Sequence, residues 1–280
     1  LNAAVAVTMA LSSVPAFADK SETDKNAPFS SSTFKAMEMR SIGPAYMSGR
    51  IADIAIDQND PSTWYTAVGS GGVWKTTNAG TTWKPIFDDQ AVYSIGDVTI
   101  APSNSNIIWV GTGENNGGRH ISFGDGVYKS LDGGKTWKNM GLKKSEHVSD
   151  IIIHPENPDV VWVSAQGPLW SEGGERGLYK TSDGGATWKQ VLTPDDEWTG
   201  VTSLLIDPTN PDKLYAATWS RQRTVANYVG TGPAAGIHTS DDGGETWTEL
   251  KTGLPTGNMG KIGMAISPTD PSVLYATIEI

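Results

Sequence analysis

The chain contains no cysteine, so disulfide staples and thiol chemistry are both excluded. Positive charge is scarce as well: 21 Lys and Arg stand against 31 Asp and Glu, a net charge of −10. A nucleic-acid partner needs a clustered basic surface, and this balance argues against one. The four histidines, His120, His147, His154 and His238, show no metal-ligand spacing. No cofactor is expected, and nothing in the spacing argues for bound Ca²⁺. No stretch after the first 18 residues has the periodicity of an amphipathic helix. What is abundant is turn chemistry and aromatic bulk, with 32 Gly, 16 Pro and 11 Trp in 280 residues. Short strands joined by tight turns need such residues.

The longest uncharged apolar run, Ala3 to Ser13, is too short for a membrane span and precedes Ala16-Phe17-Ala18, a small-x-small cleavage pattern. Residues 1–18 are therefore expected to be a secretory signal, and no transmembrane segment is expected. Since neither an initiating Met nor basic residues precede the run, the sequence is expected to begin inside that signal. Residues 19–33 are polar and read as a flexible linker. An exported protein without cysteine suits a bacterial periplasm, cell surface or medium.

From residue 34 onward the sequence repeats. TTNAGTTW ends at Trp83, SLDGGKTW at Trp137, TSDGGATW at Trp188 and SDDGGETW at Trp247, with spacings of 54, 51 and 59. A second element recurs as IDQNDP from Ile56, IAPSNSN from Ile100, IHPENPD from Ile153, IDPTNPD from Ile206 and ISPTDPS from Ile266. Periods of this size, built from short strands, indicate propeller blades. In the third unit, strands A to D are expected at Asp150–His154, Val160–Ala165, Gly177–Thr181 and Trp188–Leu192. The reading is an all-β propeller over 34–280, with four blades of four antiparallel strands and the start of a fifth. Phe34 to Ile42 resembles a strand D that joins the last blade of a longer ring.

Within each box an Asp or Asn accepts backbone N–H groups and a following Gly supplies left-handed backbone. A residue repeated four times is structural rather than catalytic. On this reasoning Asn78, Asp132, Asp183 and Asp242 hold turns, and Trp83, Trp137, Trp188 and Trp247 pack between blades. His154 fills a turn slot occupied elsewhere by Asp57 and Asp207. SLDGGKTW and its relatives resemble the Asp-box, or BNR repeat, of sialidases, xyloglucanases, sortilin/VPS10 receptors and photosystem II assembly factors. SIGPAYMSGRIADIAID, IWVGTGENN and GDGVYKSLDGGKTW carry the likeness to sortilin/VPS10-like and xyloglucanase-like bacterial proteins. The resemblance implies the fold; it leaves activity open, because the fold hosts enzymes, receptors and scaffolds alike.

In an antiparallel meander the short A–B turns and Asp-boxes share one face, and the variable B–C and D–A loops share the other. Function is expected on the variable loops. Repeat positions do not explain Trp170, Trp198 and Trp219, all placed in those loops. Arg50, Glu114, Arg119, Arg221 and Arg223 are expected on the same face, with His120, Glu172, Glu175 and Arg176. This set suits a peptide, protein or glycan ligand. The glycines at 69–72 and 111–118 do not cradle phosphate, because no helix follows them.

A glycoside hydrolase is the alternative reading, and it needs a pair of carboxyl groups. The resemblance to xyloglucanases implies a catalytic acid at the end of strand B in the first blade. Ser70 stands there instead, within Gly69-Ser70-Gly71-Gly72, and Glu114 is the lone carboxylate at the matching place of the second unit. The sequence thus favours a binding module over an enzyme.

Overall fold

The structure, a computed structural model, describes residues 50–280. The signal at 1–18, the linker at 19–33 and the expected strand at 34–42 lie outside the described residues. Among those described there is no helix, and so none long and apolar enough to cross a membrane.

Blade 1 comprises β1 (Ile51–Ile56), β2 (Trp64–Val68), β3 (Gly72–Thr76) and β4 (Lys84–Pro85); blade 2 comprises β5 (Ile95–Ala101), β6 (Asn104–Thr112), β7 (Val127–Ser130) and β8 (Lys138–Asn139). Blade 3 comprises β9 (Val148–Ile153), β10 (Val161–Ala165), β11 (Gly177–Thr181) and β12 (Lys189–Leu192). Blade 4 comprises β13 (Thr199–Asp207), β14 (Asn210–Ser220), β17 (Ile237–Ser240) and β18 (Thr248–Leu250), and carries an inserted ribbon of β15 (Gln222–Arg223) and β16 (Tyr228–Val229). A fifth blade begins with β19 (Ile262–Ile266) and β20 (Leu274–Ile278). Each complete blade is an antiparallel four-stranded meander, and the first strands β1, β5, β9, β13 and β19 neighbour one another in turn. This is the expected propeller, seen as an arc of four blades and a part.

The blade faces pack through one apolar layer at each junction. Tyr65, Val73 and Phe87 of blade 1 meet Ile95, Val98 and Ile108 of blade 2. Equivalent layers join blades 2 and 3, 3 and 4, and 4 and 5. Among the described residues the outer face of blade 1 has no such cover: Ile51, Ile54 and Ile56 are at least half exposed, and Ile51 and Ile54 line an apolar hollow with Trp64, Trp74 and Trp83.

A lysine on the third strand of a blade lies over an aromatic ring on its second strand: Lys75 over Tyr65, Lys129 over Trp109 and Lys180 over Trp162. Lys75 and Lys129 then donate to the carbonyls of Gly133 and Gly184, in the Asp-box of the next blade. Tyr65 Oη and Trp162 Nε1 grip the boxes of the following blades in the same way. Trp109 and Trp162 therefore serve the junctions between blades.

Every Asp-box closes on a side-chain hydrogen-bond knot. Asp183 Oδ1 accepts from Thr187 N at 2.9 Å and from Thr181 Oγ1 at 2.7 Å, while Thr187 Oγ1 donates to Oδ2 at 2.6 Å. Asp132 and Asp242 repeat the pattern, and Asn78 does so with an amide. These bonds favour the ionised form and hold the Asp132 and Asp183 carboxyls down to about 2. Trp137 and Trp188 reach back to donate to Ile86 O and Met140 O of the preceding blade. His154 Nδ1 accepts from Glu156 N at 3.1 Å, as Asp207 Oδ1 does from Thr209 N.

The innermost strands hold a feature that sequence reasoning missed. Asp53 Oδ2 accepts from Val98 N of the next blade, and Asp150 Oδ2 accepts from Leu204 N at 2.9 Å. Asp97 takes the same place between them, hydrogen-bonded by the Ile151 backbone. A break in strand register precedes each of these positions, which turns the side chain sideways toward the neighbouring blade. Burial raises all three carboxyls, Asp97 well above its ordinary value and Asp150 to about 7. The signal was present as IADI, IGDV and VSDI; the fourth blade breaks it with Ser203.

Candidate functional site

The variable loops gather on one face, and hydrogen bonds knit them together where blades 1 and 2 meet. Ser94 Oγ lies 2.9 Å from Gly69 O and 2.8 Å from Ser122 O, either of which can accept its hydrogen, and Gly69 N donates to Arg50 O. This junction brings Arg50 and Glu114 together. The guanidinium is bidentate on the carboxylate, Nε to Oε1 and Nη2 to Oε2, each at 2.5 Å. Glu114 is buried and also accepts from Asn116 Nδ2 at 3.1 Å. Arg50 Nη1 lies 2.7 Å from His120 Nε2. Its ordinary value is raised further, chiefly by the hydrogen bond to Glu114. Gly69 makes room for the pair: a Cβ there would come within 2.8 Å of the Glu114 Cδ. The Glu114 carboxylate thus lies against the turn that carries Ser70.

Two aromatic rings stand in solvent beside this cluster. Tyr93 is 59% exposed and Phe123 is 67% exposed, and Tyr93 Oη lies 3.1 Å from Ser122 Oγ. Neither ring stands out in the sequence, where tyrosine and phenylalanine are ordinary components of short strands and loops. Their positions, in a D–A loop and a B–C loop, were the available signal. Arg119 is exposed nearby in the same loop.

The remaining expected residues form a second group over blades 3 and 4. Trp170 is 47% exposed. Trp198 is partly buried under the Arg176 guanidinium, 5.8 Å from the ring centre. Arg176 is buried; it donates to the carbonyls of Gly173, Gln166 and Pro168, and burial pushes it down to about 10. Trp219 is not in a loop as expected. The β13–β14 ladder extends to Gly200↔Trp219, so the indole ends a strand, is 2% exposed and donates to Gly230 O. Arg221 is wholly buried, and Arg223 Nε donates to Gly117 O at 2.6 Å while its guanidinium covers the Tyr228 ring. The structure uses these two arginines to fasten the 113–118 segment of blade 2 onto blade 4. Gly117 allows the approach, since a Cβ there would strike the Tyr228 hydroxyl.

Chemically, the blade 1–2 cluster offers hydrogen-bond donors and acceptors flanked by exposed rings. Its one buried carboxylate is ion-paired. Among the described residues no second carboxylate shares its hydrogen bonds, and no group of three or more His, Asp or Glu side chains is placed to hold a metal.

Comparison with known proteins places this geometry. The chain is 24% identical over 264 residues to a probable oligoxyloglucan-reducing end-specific xyloglucanase of Neosartorya fischeri, covering 79% of this chain and 30% of that protein. It is 25% identical over 297 residues to a xyloglucanase of a Paenibacillus species, covering 94% of this chain and 26% of that protein. The chain therefore spans less than a third of the length of either relative. An ancestral GH74 enzyme superposes with a TM-score of 0.64 at 22% identity, over 82% of this chain and 28% of its own. The GH74 xyloglucanase from Xanthomonas campestris gives 0.57 at 16% identity, over 81% and 34%. These likenesses show the propeller fold. Residues 125–272 match the family model described as sortilin, neurotensin receptor 3, and the chain belongs to that Sortilin-Vps10 family.

Proposed function

We propose that this propeller is an exported binding module that holds a glycan on its loop face, at the surface formed by Tyr93 and Phe123. Arg50, Glu114, Arg119 and His120 border that surface. The observation that carries the reading is the exposure of Tyr93 and Phe123, on two segments joined at Tyr93 Oη and Ser122 Oγ, beside a preorganised polar cluster. Large apolar side chains grouped in solvent mark interaction sites. A sugar ring is apolar on its faces and polar at its edge, so it suits flat aromatics flanked by hydrogen-bonding groups. The similarity to xyloglucanases supports a β-glucan backbone as the ligand. Export is inferred from the signal-like residues 1–18.

Hydrolysis is the second reading, and one observation favours it: the Glu114 carboxylate lies against the turn that carries Ser70. Two carboxyl groups are needed, and an ion-paired one is poorly suited to donate a proton. Incubating the full-length protein with β-glucan oligosaccharides decides between the two. Calorimetric binding without release of reducing ends supports the module. Release that Glu114→Gln abolishes establishes the hydrolase, and binding of peptides alone removes the glycan reading.

A further inference from the structure

Lys261, the residue before β19 of blade 5, reaches back to a loop of blade 2, and the glycan surface does not use it. Its Nζ donates to Asn115 O at 2.8 Å, across 146 positions of sequence. The same Nζ lies 5.3 Å from the centre of the Trp219 ring. Burial, and then the Arg221 guanidinium, hold the amine below its ordinary value, while Asp150, Glu114 and Glu279 act in the opposite sense. A desolvated lysine beside another cation is the kind that reacts as a neutral nucleophile.

The Asn115 side chain is held as well. Its Nδ2 donates to Thr202 Oγ1 at 3.1 Å and to Thr202 O at 3.3 Å. A backbone carbonyl only accepts, so this contact fixes which end of the amide faces Thr202. Oδ1 is the other end; it is buried and has no partner among the described residues. Four covalent bonds join Asn115 O to the amide carbon Cγ, which places the two atoms about 3–5 Å apart. Turning the lysine side chain carries Nζ from one to the other. Asp150 supplies a proton carrier: it acts on the Lys261 charge, and its Oδ2 accepts from Leu204 N, two residues beyond Thr202 on β13. Burial raises this carboxyl to about 7, so it exchanges a proton near neutrality.

We propose that Lys261 Nζ and Asn115 Cγ join in an intramolecular isopeptide bond. The neutral amine attacks Cγ, the Cγ–Nδ2 bond breaks, and the amide nitrogen leaves as ammonia with the proton that the amine gives up. Asp150 relays that proton, and Thr202 holds the leaving nitrogen. The exchange of one amide for another consumes no oxidant and no activated group. The bond ties the B–C loop of blade 2 to the first strand of blade 5. A cross-link between positions so far apart removes much of the freedom of the unfolded chain, and a protein without cysteine has no disulfide for that purpose. This inference stands apart from the glycan reading.

The test keeps the full-length protein folded at neutral pH until its mass is constant, then denatures it and digests it with trypsin. The peptide that contains Asn115 and the peptide that contains Lys261 should appear as one linked species, at the sum of their masses less one ammonia. Trypsin should not cut after Lys261, and fragment ions should place the link on these two residues. Lys261→Met and Asn115→Ala should each retain the ammonia and melt at a lower temperature than wild type. Separate peptides with cleavage after Lys261, or a link through any other residue, would overturn the assignment. The wild-type digest decides the matter even if neither variant folds.

Discussion

Arg50 and Glu114, 64 positions apart, meet as a bidentate pair with both bonds at 2.5 Å, one partner at the start of blade 1 and the other in a loop of blade 2. The pair locks two blades at the centre of the proposed surface. Arg50→Ala leaves a buried carboxylate without its cation and should destabilise by about 1–3 kcal/mol. Gly69→Ala keeps both charges but drives a methyl group against Glu114. It should lower both the melt and glycan affinity. Thermal melts with calorimetry check both, and an unchanged melt in both variants would mean that the pair is an idle surface contact.

The Asp-box knots should matter to stability and not to ligand. Asp183→Ala should lower the melting temperature by roughly 2–4 °C, as expected for a modest local loss in a domain of this size, with glycan affinity unchanged. The sign of the pH effect follows from the depressed carboxyls. Their contribution is complete above the unfolded value of about 4 and is lost as pH falls toward the folded value of about 2. Melts of wild type and variant should therefore converge as pH falls from about 4 to 2, and a constant gap would contradict the assignment.

Asp150 should act in the opposite sense. Its folded value, raised to about 7 chiefly by burial, lies above the unfolded one, so the native state holds the proton more tightly. Stability from this group is complete below about pH 4 and declines as pH rises to about 7. The buried imidazoles of His147 and His238 work against this trend below about pH 6.5, so the difference between Asp150→Asn and wild type is the informative quantity. The variant should gain on wild type between pH 4 and 7, since its amide oxygen still accepts from Leu204 N. A difference that does not vary with pH would sink this reading.

The open face of blade 1 predicts association. Residues 19–280 produced alone should self-associate through the hollow lined by Ile51, Ile54, Trp64 and Trp83. Ile54→Lys should reduce the association. A sharp monomer in light scattering for the unmodified chain would contradict the prediction.

Repeated features were the legible ones. The Asp-boxes, the β11 bounds and the turn role of His154 could be read because each has relatives in other blades, and local hydrogen bonding fixes its geometry. The inner-strand acids were equally visible as a repeat, yet alternation alone assigns them to a strand face without saying that a register break turns them toward the next blade. Single-copy residues carried no such signal. Trp219 and Arg221 are the residue types that dominate binding surfaces, but continued β13–β14 pairing drew the indole into the interior and a neighbouring blade's loop closed over the guanidinium. Tyr93 and Phe123 are ordinary in sequence; only their shared exposure marks them.

Glycan binding at the blade 1–2 junction is tested most directly by calorimetry of the full-length protein with β-glucan oligosaccharides, comparing wild type with Tyr93→Ala and Phe123→Ala. Each variant should bind about tenfold more weakly, a loss of ~1.4 kcal/mol, while its melt stays close to wild type because the rings are exposed. Undiminished affinity in both variants, with a ligand that the wild-type protein binds, would contradict a glycan seated on these rings.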